Sequence, residues 1–291
     1  MTADTRKRIM AAVAVMVTST ALMLGTPGTG SAAPAATPSL RAFGISGDGT
    51  LMATFTTDRP QILDWVRAVT GLSGDTGLIG IDFRVQNGLM YGVGNKGGIY
   101  TIKTPSGTGD VLVTKVSQLQ YALNGANFGV DFNPAADRLR VISDNGQNLR
   151  HNLNDHSTIQ DLNLTTPPIE GTTKGVSAAA YTNNDLNAAT ATTLVDINTT
   201  TDQVALQSPA NNGTLAPTGS LGIDAGINAG MDIYSTLSGG KTVDNAAFAS
   251  LTPSGAATPS LYSINVFTGQ ATSIGQFPLN ITDLAISLTG S

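Results

Sequence analysis

A chain of 291 residues, 41% apolar and only 12% charged, can build one large domain or two small ones, and its net charge of −5 argues against nucleic acid or an anionic membrane surface as partner. It has no Cys, which excludes disulfides and thiolate metal sites, and only two His, which excludes three-His zinc centres. Glu170 is the sole Glu among 20 acidic residues, and the abundance of Asp, Asn, Gly, Ser and Thr suits turns and strands, so an all-β fold is expected.

The chain starts with Arg6-Lys7-Arg8, a mostly apolar run from Ile9 to Leu24, and then small residues with cleavage expected after Ala32, Ala33 or Ala35. That is the layout of a secretory signal peptide, assigned to residues 1–33. The run is short for a membrane span and contains Thr18, Ser19 and Thr20. Residues 34–39 read as a polar linker and 40–291 as a single folded domain. The expected destination is extracellular or the cell envelope, with no membrane insertion after cleavage. Export without Cys suits a bacterial protein.

Downstream, two strand units recur. Gly80-Ile81-Asp82-Phe83 matches Gly129-Val130-Asp131-Phe132, with looser copies at 177–181, 230–234 and 282–286. The other unit, an apolar pair, a polar residue and an apolar residue, appears at Leu51–Phe55, Ile99–Ile102, Leu194–Ile197 and Leu261–Ile264, with a weaker copy at Leu149–Leu153. Together they define a repeat of about 50 residues with four strands, the arrangement of a propeller blade. The small residues beside the bulky ones in the first unit fit strands crowded around a narrow axis.

The expected architecture is therefore a five-bladed β-propeller of four-stranded antiparallel blades at 80–117, 128–164, 175–222 and 228–276, plus a composite. The composite joins the C-terminal strand 281–288 to N-terminal strands at 42–46, 51–56 and near Trp65–Val69, closing the ring. Residues 237–258, rich in Gly, Ser and Thr, read as an insertion that could hide extra strands and distort five blades into six. Asp58-Arg59-Pro60 could instead cap a short helix through Val69, but the composite needs an outer strand there.

The motif GVDFNPAADRLRVISDNGQNLR at 129–150 resembles the secreted bacterial proteins of domain-of-unknown-function family 4394. Further matching stretches are LIGIDF (78–83), AAAYTN (178–183), TTLVDI (192–197), NNGTLAPTGSLGID (211–224), AAFASL (246–251) and LYSINVFTGQATSIG (261–275). The resemblance implies export and a propeller-like fold. It implies no reaction.

Within 129–150 a four-residue turn Pro134–Asp137 would set Asp131 opposite Arg140 and Asn133 opposite Arg138, so Asp131 and Arg140 are expected to form a structural ion pair. In the matching unit Asp82 would face Tyr91. The hairpin turn Asp144–Gln147 falls on the rim where links between blades emerge. Asp144, Gln147, Asn148 and Arg150 are accordingly the candidate ligand-binding residues, and calcium is the cation that Asp144, Asn148 and nearby carbonyls could take. His151 and His156, five apart, read as exposed strand or loop residues. No catalytic residue, resident cofactor or metal centre is assigned. The function expected is a monomeric, non-enzymatic module for an unknown extracellular ligand or protein. The alternative is a hydrolase or lyase of sugars or lactones using Asp82, Asp131 and Asp232 at the channel mouth.

Overall fold

The computed structural model describes residues 37–291; the signal-peptide assignment and the first linker residues lie outside that range. Among the described residues there are twenty strands, one 3₁₀ turn at Ala210–Asn212 and no α-helix, so no helix is long and apolar enough to cross a membrane. Most strands are short and alternate in the side chains they send to each face. Each sheet thus offers apolar residues on two sides and must be covered on both.

Three sheets are four-stranded and antiparallel. The first contains β8 (Phe128–Asn133), β9 (Arg138–Ser143), β10 (Asn148–Asn152) and β11 (Ser157–Gln160). Next come β12 (Val176–Tyr181), β13 (Leu194–Asn198), β14 (Gln203–Gln207) and β15 (Leu215–Ser220). The last is built from β16 (Ala225–Ser238), β17 (Lys241–Pro253), β18 (Ser260–Ile264) and β19 (Ala271–Gln276).

The remaining strands form one eight-stranded sheet rather than two separate blades. One half holds β4 (Leu78–Arg84), β5 (Leu89–Gly94), β6 (Gly98–Lys103) and β7 (Val111–Gln118). The other orders β20 (Ile281–Ile286), β1 (Arg41–Ser46), β2 (Leu51–Thr56) and β3 (Trp65–Thr70), so the C-terminal strand pairs antiparallel with the first N-terminal one. The halves are fused where the outer strands β3 and β7 pair in parallel at Val69–Val111 and Thr70–Leu112. Two unpaired edges thereby satisfy each other's main-chain groups.

Two further expectations change. The copies of the second unit are expected to occupy the same, third place in each sheet, as β2, β6 and β18 do, but Leu194–Asn198 is second in its sheet, because apolar–polar alternation is the same in either position. Residues 237–258 are not an insertion: β16 and β17 make a long hairpin that turns at Gly239-Gly240, and its base belongs to the sheet. Trp65–Thr70 is a strand, with Trp65 and Phe83 both packed on Phe43.

The first strands β4, β8, β12, β16 and β20 each pack on the next, and β20 packs on β4. Apolar clusters fill the spaces between neighbouring sheets, such as Val130, Phe132 and Leu139 against Tyr91, Val93 and Ile99. Small residues let the first strands touch. A Cβ on Gly129 would lie 2.5 Å from the backbone nitrogen of Ala179, so β8 and β12 meet main chain to main chain.

Gly129→Ala is therefore expected to destabilise the domain by about 1–3 kcal/mol in urea unfolding through overpacking. Gly107→Ala, where a Cβ meets nothing within 4 Å, should change it by less than about 0.5 kcal/mol. Equal effects would contradict this packing.

Candidate functional site

The acidic residues of the first strands meet at the centre. Asp82, Asp131, Asp232 and Asp283 are all buried, and carboxylate oxygens of the first three lie within 4.8 Å of one another. Each carboxylate accepts a main-chain amide from the next first strand. Asp82 takes Phe132 N–H at 2.7 Å, Asp131 takes Tyr181 N–H at 3.1 Å, Asp232 takes Ile286 N–H at 2.5 Å and Asp283 takes Ile81 N–H at 2.8 Å. Between β12 and β16 the pattern lapses. Ala180 precedes the Tyr181 amide as Asp131 precedes that of Phe132, so β12 brings no acid. There the Asn184 side chain donates to Ile233 O at 2.9 Å instead.

Burial pushes all four pKa values up, and for Asp82 and Asp131 the neighbouring acids push further. Asp232 is raised to about 6. Asp82, Asp131 and Asp232 are the residues that could hold a cation here. However, both oxygens of Asp82 and of Asp232 already accept main-chain amides, from Phe83 and Phe132 and from Ile233 and Ile286. Glycosidic cleavage needs carboxyls about 5–9 Å apart with room for sugar or water between them. These buried, amide-bound acids do not supply that arrangement.

The residues singled out at 129–150 are engaged internally. Asp131 sits opposite Arg140 in register, but the two do not pair. Arg140 reaches away to Asp161 at 2.7 Å, with further bonds to Asn148, Tyr181 and Asn211, while Asp131 faces the acidic centre. A buried guanidinium needs several acceptors, and this polar pocket between the second strand of one sheet and the next sheet provides them. Likewise Tyr91 accepts from Asn87 rather than bonding Asp82.

Asp144 accepts the amides of Ala126 and Asn127 and the Asn127 side chain. Gln147 accepts Asn124 N–H and donates to Ala122 O. Asn148 accepts from Arg140 and donates to Leu162 O and Ala210 O, and Arg150 pairs with Asp161 at 3.0 Å. Asp144 and Gln147 therefore fasten the link that leads into β8, while Asn148 and Arg150 hold the segment that follows β11. Arg84–Asp137 makes a comparable tie between sheets.

Other groups were not legible in the chain. Asp196 is fully buried with neither oxygen hydrogen-bonded; burial raises its pKa and nearby Arg140 opposes the rise. His151 is buried rather than exposed, because Ser117 and Thr158 satisfy both its ring nitrogens.

A cleft of about 450 Å³ opens where the sheet of β12–β15 meets that of β16–β19. Its lining carries no charged residue; it includes Thr182, Asn245, Asn265, Val266, Phe267 and Gln270. Phe267 is 83% exposed, yet its turn is held tightly. The Asn265 side chain accepts the amides of Phe267 and Thr268 at 3.0 and 3.1 Å. Gly269, at φ +79°, lies so close to Gly219 that a Cβ would fall 2.2 Å from the Gly219 carbonyl oxygen. The Gln270 side chain makes no hydrogen bond among the described residues.

The family whose description is "Domain of unknown function (DUF4394)" matches residues 51–285. No curated protein matches the chain. Among solved structures, a structural genomics protein of unknown function from Bacteroides thetaiotaomicron is similar at 11% identity and TM-score 0.43, covering 86% of this chain and 67% of that one. Myxococcus xanthus glutaminyl cyclase has 10% identity and TM-score 0.44, over 74% of this chain and 94% of that one. A chain of a nidogen/laminin complex has 13% identity and TM-score 0.43, over 86% and 99%. At these scores the likenesses carry no functional argument.

The acidic centre fixes the sign of a pH dependence. An Asp with a raised native pKa contributes stability that is fully present below the ordinary carboxylate range and is lost as pH rises through the native value. For Asp232 that loss runs from the ordinary carboxylate range up to about pH 6, where it is nearly complete. His151 acts oppositely: burial lowers it to about 4, so its contribution is lost as pH falls from its ordinary 6.5. Five buried acids, Asp196 included, oppose one imidazole. The urea midpoint is expected to be higher at about pH 5 than at about pH 7.5, and Asp232→Asn should reduce the difference. A lower midpoint at about pH 5 would contradict the raised acids.

Proposed function

The chain belongs to the family described as domain of unknown function DUF4394, a description that specifies no activity, and we propose that it is an exported, five-bladed propeller that binds a neutral, hydroxyl-rich ligand of the oligosaccharide class. The observation that carries the reading is the uncharged cleft beside Phe267. Ligand sites combine an apolar floor with a few placed polar groups. Here Ile233, Ala247, Ile264 and Val266 supply the floor and the Gln270 amide supplies an open donor and acceptor. An exposed aromatic ring offers its π-face to the C–H side of a sugar ring. The Asn265 turn holds that ring in place before binding, which lowers the ordering cost.

Five blades are supported by the unbroken succession of first strands and by the pairing of β20 with β1. On this reading the fused eight-stranded sheet is two blades touching at their rims. Export is supported by the layout of residues 1–33, and a monomer is the simplest state in which the cleft stays open.

Titration calorimetry against neutral and acidic oligosaccharides, with and without calcium, tests the reading. Saturable binding of a neutral glycan is expected, at least tenfold weaker in Phe267→Ala and weaker in Gln270→Ala. Binding only of acidic glycans, or binding unchanged in both variants, would overturn it.

A further inference from the structure

We propose that His151 and His156 form a binding site for one divalent cation of the zinc, nickel or copper class. They are the only two His in the chain, and both aim a ring nitrogen at the same point. His151 Nε2 lies 2.9 Å and His156 Nδ1 3.0 Å from Ser117 Oγ. Three separate segments create this convergence: Ser117 at the end of β7, His151 on β10 and His156 in the turn before β11.

A hydroxyl has one proton, so Ser117 can donate to only one of the two imidazoles and must accept from the other. A cation seated between the two rings, beside Ser117 Oγ, would instead engage both nitrogen lone pairs, at about 2.0–2.1 Å each. Ser117 Oγ and water would complete a four-coordinate shell. His156, on an exposed turn, is the side chain able to close on the cation.

The supporting contacts suit metal ligation. With Nε2 unprotonated, His151 Nδ1–H donates to Thr158 Oγ1 at 2.9 Å, the outer hydrogen bond that orients a metal-binding imidazole. Thr158 Oγ1 also accepts the Gln120 amide at 3.0 Å, and Thr158 N–H donates to the Gln120 side chain at 3.2 Å, so the orienting hydroxyl is itself fixed. Asp155 neighbours the pair, while Lys115 in the same cleft turns its ammonium to Ser73 O at 3.1 Å. Imidazole ligands favour zinc, nickel and copper over calcium and magnesium.

The test uses the full chain without a histidine tag, so imidazole ligation has a single origin. Calorimetry with zinc chloride is expected to give one site per chain, with affinity lowered at least tenfold in His156→Ala. Copper(II) electron paramagnetic resonance should show coupling to two imidazole nitrogens in the parent chain and one in His156→Ala. His156 is exposed, so that variant should unfold at the parent temperature without metal. Zinc binding unchanged in His156→Ala, or a copper spectrum without imidazole coupling, would overturn the proposal; the former would place the cation on carboxylates instead.

Discussion

A buried carboxylate that accepts the main-chain amide of the neighbouring sheet is the interaction on which the rest of this structure depends. Strands in different sheets cannot hydrogen-bond through ordinary ladders, so side chains must carry the connection at the crowded centre. Asp is short enough to fit beside Gly and Ala and has two oxygens, one of which can reach across. The cost is that several acids share one desolvated volume. Raised pKa values are the consequence, since protonation relieves both burial and mutual repulsion.

With its axis occupied by these staples, the domain offers chemistry elsewhere. The contacts between neighbouring sheets are of two kinds. Some are closed, such as Arg140, which bonds Asp161 and Asn148 of its own sheet and Tyr181 and Asn211 across the gap. Others stay partly open, as in the uncharged cleft under Phe267 and the Ser117–imidazole cluster. The buried acids of the first strands and Arg140 hold sheets together, while the cleft under Phe267 is lined by uncharged side chains alone.

Repeats such as 80–83 and 129–132 disclosed where most strands lie and that the chain ends pair, because alternation and turn chemistry are local properties, but the same alternation could not fix the place of Leu194–Asn198 in its sheet. The register of Asp131 with Arg140 and of Asp82 with Tyr91 was legible for the same reason. Whether such pairs actually bond was not, because opposed side chains can also turn toward a different sheet. Asp131 turns to Tyr181 N–H and Arg140 to Asp161, and neither partner is marked by spacing. The His pair shows the same limit. Five residues separate them in the chain, yet Ser117, 34 residues before His151, defines their meeting point. Even so, a search for polar residues clustered at the ends of outer strands would have flagged Ser117 and Gln120.

Amide hydrogen exchange measured residue by residue tests the central claim most directly. The amides of Ile81, Phe132, Tyr181 and Ile286, which are held by carboxylates rather than by strand ladders, should exchange only through global unfolding and rank with the slowest in the domain. Exchange of these four at the rate of the surface turns would mean that the acids do not hold the sheets together.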